Sequence, residues 1–568
     1  MKQTYNIGDY TKTYKDFTLD VPERFNWAFD VFDKWGEDSS KTAMVWVGPD
    51  GNDREITFAE FTSRTNRLSN GLKEIGTKSG DKIFVMLPRL VEWWEIMIAS
   101  VRGLFVPVPG TPLLTTADIT YRINASESSV AITDPENLGK IIEVRESCPT
   151  LKTIIVVGDT NDHIKYEDLI NGSSEVHSHP NNLSSEPLII YFTSGTTGYP
   201  KMVLNTHASY PIGHIITGRY WLDNRPTDLH WTLSDTGWAQ AAWTHFYAPW
   251  NMGAAIFVWD MRGRFEAYDT LKMLEKYPIT TFFAPPTAYR MLVLENLDDF
   301  SLTSLRHCTG AGEALNPEVI DVWKKGTGHH IWEGYGQTET VLCVATFPGM
   351  KAKPGSMGVA APGFKMAIVD EDGEELPIGE EGEIAISIKP DFPVGLFDGY
   401  WKNAEANNKC FRGRWYYTGD RGYVDEDGYY WFVGRADDVI ISSSYRIGPF
   451  EVESALVEHD SVAEAAVIGK PDPIRGEIVK AYVVLTTKEP PSQQLKLELQ
   501  NHVKSVTAPY KYPREIDFVE ELPKTISGKI RRAELRDIEK AKCFMVGLDC
   551  KKFIIWLQHG YNPVIIKK

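Results

Sequence analysis

Strand-like and helix-like segments alternate along the first half of the chain, and this alternation constrains the fold more than any other feature. Thr57 and Glu60 have capping-box spacing, which predicts a helix N-terminus. Phe58, Phe61, Leu68, Leu72 and Ile75 then recur at roughly helical spacing, and Gly76 marks a stop. KIFVML (82–87) reads as a strand, EIMIASV as part of a helix and FVPV as another strand. AIT (131–133) and TIIVV (153–157) are short apolar runs of the buried-strand type. Parallel strands need crossover connections, so this order predicts parallel, doubly wound sheets. With 568 residues, the chain exceeds what one core can serve, and two or more domains are expected.

From about residue 355 the texture changes. KMAIVDEDGEELPIGEEGEIAISI alternates polar and apolar residues around Asp-Gly and Gly-Glu turns, and RGYVDEDGYYWFVGR (421–435) does the same, so hairpins are expected. Beyond 437 a smaller α+β unit reads as a helix near 449–457, strands near 463–468 and 479–485, and a helix near 494–504. The stretch 543–568 fits neither pattern and is assigned no role.

A formal net charge of −17 argues against nucleic acid or an anionic membrane surface as partner. The six cysteines form no CxxC pair, so neither a metal framework nor a disulfide scaffold is expected. No apolar run approaches the roughly 20 residues of a spanning helix. The N-terminal stretch has no apolar signal core, and Asp9 and Asp16 suit a transit peptide badly, so a soluble cytoplasmic protein is expected.

The chemistry-bearing stretch is YFTSGTTGYPK (191–201), an apolar strand opening into hydroxyls, glycines and a lysine. Such a loop can turn backbone N–H groups and hydroxyls toward phosphate oxygens. Its spacing, Gly195-x-x-Gly198-x-x-Lys201, is not that of the common nucleotide-phosphate loop. In GYGQTE (334–339), Thr338 and Glu339 suit a magnesium ion that also takes phosphate oxygens. YTGD (417–420) sets Asp420 after a tight turn, where a carboxylate could accept two ribose hydroxyls. GRADD (434–438) offers Arg435, Asp437 and Asp438, and PKTISGKIRR (523–532) offers Lys529 on a Gly-flanked loop. Each also has an ordinary reading as a surface loop, a turn cap or a solvated charge.

The order and spacing of these segments together, with GAGEAL (310–315) and GRADDVIISSSYRIGPFEVE (434–453), resemble the adenylate-forming superfamily over about residues 25–540. RIGPFEVE and SDTGW resemble its medium-chain acyl-CoA synthetase branch. The resemblance implies a large N-terminal domain, 1–436, of two doubly wound α/β subdomains plus a distorted β-barrel. It also implies a small mobile α+β C-terminal domain, 437–540, followed by a tail, 541–568. The implied reaction has two halves. A carboxylate attacks the α-phosphate of Mg·ATP to give an acyl-adenylate and pyrophosphate, and CoA then takes the acyl group and releases AMP.

Roles follow from motif position. Thr193, Ser194, Gly195, Thr196, Thr197, Gly198 and Lys201 would cover the outer phosphates, and Glu339 would hold Mg²⁺ with Thr338 near the α-phosphate. Gly312, Glu313, Ala314, Glu333, Gly334 and Tyr335 would line the adenine pocket, and Asp420 and Arg435 would grip the ribose. Lys529 would bridge the reacting carboxylate and α-phosphate as a compact charge, and Arg446 would approach the outer phosphates. Asp437 matches the hinge, and Ser443, Ser444 and Tyr445 fall on the CoA tunnel. Ser444 stands where the family usually has glycine, which predicts a slower thioester step or a differently shaped tunnel.

Acetate-activating relatives carry a tryptophan at the position of Gly336, so glycine here predicts room for a longer or branched acid. Trp238, Trp243 and Trp259 are expected to bound that apolar pocket, for a medium-chain or short branched acid or a small aryl acid. The alternative is a stand-alone adenylation enzyme that loads a carrier-protein thiol.

Overall fold

Parallel strands form two sheets in the computed structural model, which describes residues 4–193, 200–313, 315–435, 438–442, 445–472, 475–486, 490–525 and 529–545. In the larger sheet, six strands lie parallel in the order Ile331–Tyr335, His307–Ala311, Thr281–Phe283, Leu229–Thr232, Ala255–Trp259 and Thr42–Val47. Antiparallel strands close its edges: Asp53–Thr57 on one side, Val344–Ala345 and Val359–Ala360 on the other. The second sheet is wholly parallel, in the order Val106–Pro109, Lys82–Met86, Val130–Thr133, Thr153–Val156 and Ile164–Lys165. Its inner strands are mostly apolar because both faces are covered. Ile83 and Val85 join one core, while Phe84 and Met86 join another on the opposite face.

The helix Phe58–Glu74 forms with both capping-box hydrogen bonds in place, and it buries Phe58, Phe61, Leu68 and Leu72. Before it in the chain, the short helix Tyr10–Asp16 is tied down by two tyrosine hydroxyls. Tyr10 donates to the Ala360 carbonyl and Tyr14 to the Phe364 carbonyl, each at 2.8 Å. Among the described residues, no helix is long and apolar enough to cross a membrane.

Two antiparallel elements interrupt the parallel plan. Pro187–Thr193 and Lys201–Thr206 form a hairpin, with Gly399–Tyr400 added to its second strand. Further on, Met366–Val369, Gly382–Ser387, Trp415–Val424 and Phe411–Arg412 lie in that order, with Tyr430–Arg435 also paired to Trp415–Val424. These are the expected hairpins, and among the described residues they pair as a five-stranded sheet that does not close into a barrel.

The chain divides into two compact units, Met1–Thr418 with Tyr423–Trp431, and Gly419–Gly422 with Phe432–Lys568. The C-terminal unit sets Ile440–Ser442, Tyr445–Ile447, Val462–Asp472, Gly476–Leu485 and Glu515–Phe518 into one sheet. Helices Pro449–Val457 and Gln493–Val506 contribute Val452, Leu456, Leu495, Leu499 and Val503 to its core. On the last helix, Arg532–Met545, the Glu539 carboxylate is buried and accepts from Lys480 Nζ at 2.8 Å and from the Tyr482 hydroxyl at 2.6 Å. Asp517 adds a second carboxylate 2.8 Å from Lys480. Burial opposes the Lys480 charge, but hydrogen bonds to Asp517 and Glu539 outweigh it and raise the pKa. Removing one partner of such a buried pair costs about 3–5 kcal/mol. Lys480→Ala should therefore loosen the helix Arg532–Met545. Hydrogen exchange should show its amides losing protection while those of Lys82–Met86 keep theirs; equal protection in both proteins would refute the clamp.

Candidate active site

The hairpin that bears the Gly-rich loop places its two ends directly opposite each other: Thr193 pairs in register with Lys201. Ser194, Gly195, Thr196, Thr197 and Gly198 lie outside the described residues, as does Ala314. From Lys201 the strand runs to Thr206, and Val203 pairs with Tyr400. The Tyr400 ring lies beneath the Lys201 ammonium, 4.1 Å from Nζ to the centroid. The hydroxyl of the same tyrosine donates to Glu339 Oε1 at 2.7 Å. One tyrosine thus contacts both the lysine that follows the Gly-rich loop and the carboxylate expected to hold the metal.

Glu339 is buried, and its backbone carbonyl accepts from Phe397 N at 2.8 Å. The segment before it is held by Gln337, whose Nε2 donates to the Thr418 carbonyl at 2.9 Å and whose Oε1 accepts from the Tyr416 hydroxyl at 3.1 Å. Thr338 lies between these two anchors and is half-buried. Tyr400, Gln337 and Tyr416 are site residues that the sequence reading missed. Tyr400 is separated from Glu339 by 61 positions, and no periodicity or motif joins them.

The residues expected to line the adenine pocket gather at the ends of two neighbouring parallel strands. Gly310 pairs with Glu333 and Ala311 with Gly334. Gly312 follows with φ +108, a conformation that favours glycine. Glu313 is paired with Arg290 at 3.0 Å, and Tyr335 ends its strand half-buried. Glu333 accepts one backbone hydrogen bond, from Leu315 N at 3.3 Å. Burial outweighs that bond and pushes its carboxyl up to about 8.

Asp420 and Arg435, expected at the ribose, lie in the C-terminal unit. Asp420 sits within the strand Trp415–Val424, not after a tight turn, and Arg435 Nε approaches its Oδ1 to 3.2 Å. The two residues therefore occupy one site and balance each other's charge. Lys529 is exposed, at the base of a loop whose ends are joined: its carbonyl accepts from Thr525 N at 2.7 Å, and its N–H donates to Thr525 Oγ1 at 3.1 Å. The exposed Tyr445 ring stacks on Tyr510 at 4.2 Å. Asp437, Ser443 and Ser444 lie outside the described residues, and of Arg446 only the backbone is described, in the strand Tyr445–Ile447.

The tryptophans do not share one wall. Trp243 packs on Gly336, whereas Trp259 belongs to a separate core with Phe257, Trp231 and Phe282. Successive side chains of the strand Ala255–Trp259 alternate in direction, so Ile256 and Val258 join the Trp243 core while Phe257 and Trp259 face away. Trp238 caps the helix Ala239–Ala242 and is half-buried.

The family model for the AMP-binding enzyme matches residues 32–401, and that for the AMP-binding enzyme C-terminal domain matches 451–529. The chain belongs to the AMP-binding enzyme family. Acyl-coenzyme A synthetase ACSM3, mitochondrial, of Rattus norvegicus is 47% identical over 550 residues, 94% of this chain and 93% of its own. Acyl-coenzyme A synthetase ACSM4, mitochondrial, of Homo sapiens is 47% identical over 530 residues, 91% of each chain. Among solved structures, the anthranilate CoA ligase AuaEII in complex with anthranoyl-AMP matches with a TM-score of 0.85 at 31% identity. That match covers 92% of this chain and 99% of the ligase.

Magnesium needs few protein ligands when phosphate and water oxygens supply the rest. Among the described residues, no cluster of three or more acidic, histidine or cysteine side chains offers a full cage. A single buried carboxylate, oriented by Tyr400, fits an ion of that kind.

Two outcomes follow for this AMP-binding enzyme. Glu333 keeps its proton when folded up to about pH 8, against a reference value of 4.5. The folded state binds the extra proton across that window, so stability falls as pH rises through it. Melting temperatures against pH should converge on this trend for the wild type and lose it in Glu333→Gln; parallel curves would refute it. Tyr400→Phe removes a charge-assisted hydrogen bond and should lower pyrophosphate-exchange activity roughly tenfold or more. Its melting temperature should stay near that of the wild type.

Proposed function

We propose that this enzyme activates a carboxylic acid with ATP and passes the acyl group to CoA, releasing pyrophosphate and then AMP. The observation that carries the reading is the Lys201–Tyr400–Glu339 arrangement at the mouth of the Gly-rich hairpin. It holds a cation and a metal-suited carboxylate against one tyrosine, as a triphosphate with its ion requires.

The first step brings two anions together, a carboxylate and a phosphate, so positioning and charge compensation dominate its catalysis. Lys201 and the donors of residues 193–198 hold the outer phosphates. Glu339 would hold Mg²⁺, which when bound would offset phosphate charge. Glu333, neutral at pH 7, lines the adenine pocket with Gly312, Glu313, Ala314, Gly334 and Tyr335, while Asp420 accepts ribose hydroxyls beside Arg435. The carboxylate oxygen attacks the α-phosphorus and pyrophosphate leaves. Lys529 bridges the two anions during this attack, and Arg446 assists at the outer phosphates.

In the second step the CoA sulfur attacks the acyl carbonyl and AMP departs. Lys529 must then withdraw, which assigns residues 437–540 the role of a mobile domain turning about Asp437. Ser443, Ser444 and Tyr445 line the thiol's path. The named relatives support CoA as the acceptor over a carrier-protein thiol. The acid is proposed to be medium-chain, short branched or aryl.

Acid-dependent exchange of labelled pyrophosphate into ATP tests the first step, and CoA-dependent AMP release tests the second. Lys529→Ala should lower exchange by at least about a hundredfold. Exchange at the wild-type rate would remove Lys529 from the mechanism, and AMP release indifferent to free CoA would favour the carrier-protein alternative.

A further inference from the structure

Tyr400 meets both Lys201 and Glu339, yet its own strand, Gly399–Tyr400, is two residues long and pairs with the hairpin on one side. Bonds to the hairpin come from the flanking residues. Asp398 N donates to the Leu204 carbonyl at 3.0 Å, and Trp401 N donates to the Met202 carbonyl at 2.8 Å. Tyr400 lies between them opposite Val203, and its own N–H and carbonyl turn to the open side of the strand. The residue is buried, so both groups need partners.

One side chain closes that open side. Asn407 Oδ1 accepts from Tyr400 N at 2.7 Å, and Asn407 Nδ2 donates to the Tyr400 carbonyl at 3.1 Å. The Asn403 N–H adds a longer bond to the same carbonyl, at 3.2 Å. A carboxamide carries the donor and the acceptor of a peptide group, so Asn407 completes the ladder as a neighbouring strand would. An ionised aspartate could only accept, and an aliphatic side chain could do neither.

Asn407 is itself held in place. It lies on the helix Ala404–Cys410, whose N-cap Asn403 accepts from Ala406 N at 3.0 Å, and its N–H donates to the Asn403 carbonyl at 3.1 Å. Gly399 leaves it room: φ there is +124, and a Cβ would lie 3.2 Å from the Asn407 amide. The phenol hydroxyl is the far end of the side chain, so a small turn of the backbone at 400 moves it most. A misplacement of about 1 Å can cost about a hundredfold in rate.

We infer that Asn407 is a positioning residue for the acid-activating step, acting through Tyr400 on Lys201 and Glu339. Its amide is engaged by the Tyr400 backbone, so its effect passes through the tyrosine. The inference rests on the reading that Lys201 and Glu339 take the triphosphate and its metal ion.

The test is a double-mutant cycle on acid-dependent pyrophosphate exchange, with Asn407→Ala, Tyr400→Phe and the two combined. Asn407→Ala should lower kcat/KM for ATP at least about fivefold in the wild type but less than about twofold in Tyr400→Phe. It should also raise the Mg²⁺ concentration that gives half-maximal exchange. Equal losses in both backgrounds overturn the inference, as does a lower melting temperature with exchange and its Mg²⁺ dependence unmoved. Should Asn407→Ala fail to fold, the same cycle with Asn407→Asp, which keeps the acceptor and loses the donor, decides by the same criteria. Wild-type exchange in both Lys201→Ala and Glu339→Gln would instead sink the parent reading, and with it this one.

Discussion

The N-terminal site depends on one backbone pairing, that of Gly399–Tyr400 with the strand Lys201–Thr206. This register brings a tyrosine from nearly 200 residues away against the lysine that closes the Gly-rich hairpin. The same ring then faces two charges of opposite sign: its π face meets the Lys201 ammonium, and its hydroxyl meets the Glu339 carboxylate. Donating a hydrogen bond to an anion enriches the ring in electron density, which strengthens its hold on the cation. Slipping the pairing by one residue would turn the ring to the other side of the strand and separate both contacts.

The C-terminal unit solves a different problem, holding exposed charged and aromatic side chains on a stable base. Lys529, Tyr445 and Arg435 are exposed, so their own burial contributes little to their placement. What holds them is the sheet behind, with its apolar core and the buried contact of Lys480 with Glu539 and Tyr482. Arg532 adds a close pair with Glu453, which also accepts from Val467 N at 2.8 Å. The helix that follows Lys529 is thus fixed to the sheet at Lys480 and, through Glu453 of the helix Pro449–Val457, at Val467. The loop is further joined by its own Thr525–Lys529 hydrogen bonds.

Local chemistry was legible wherever neighbouring residues determine it. Thr57 and Glu60 form their capping box, and the buried strands fall where the apolar runs stand. GEEGEIAISI and RGYVDEDGYYWFVGR become paired strands. Some errors were avoidable: the AIFVW strand alternates, so Trp259 had to share a face with Phe257. Others were not. Nothing in a linear reading of GYGQTE announces Tyr400, Tyr416 or Thr418 as its anchors. Nor does the glycine at 336 reveal that an indole from residue 243 fills the space beside it.

The sequence by itself determined the elements, the family and the identity of the charged groups, because each rests on residues close in the chain or on motifs in fixed order. Tertiary structure alone decided which groups meet. It set Tyr400 between Lys201 and Glu339, paired Arg435 with Asp420, raised the Glu333 carboxyl and placed Trp243 on Gly336. The physical reason is that pairing and burial depend on distances in space and on exclusion of water, and folding brings together residues that the chain keeps far apart.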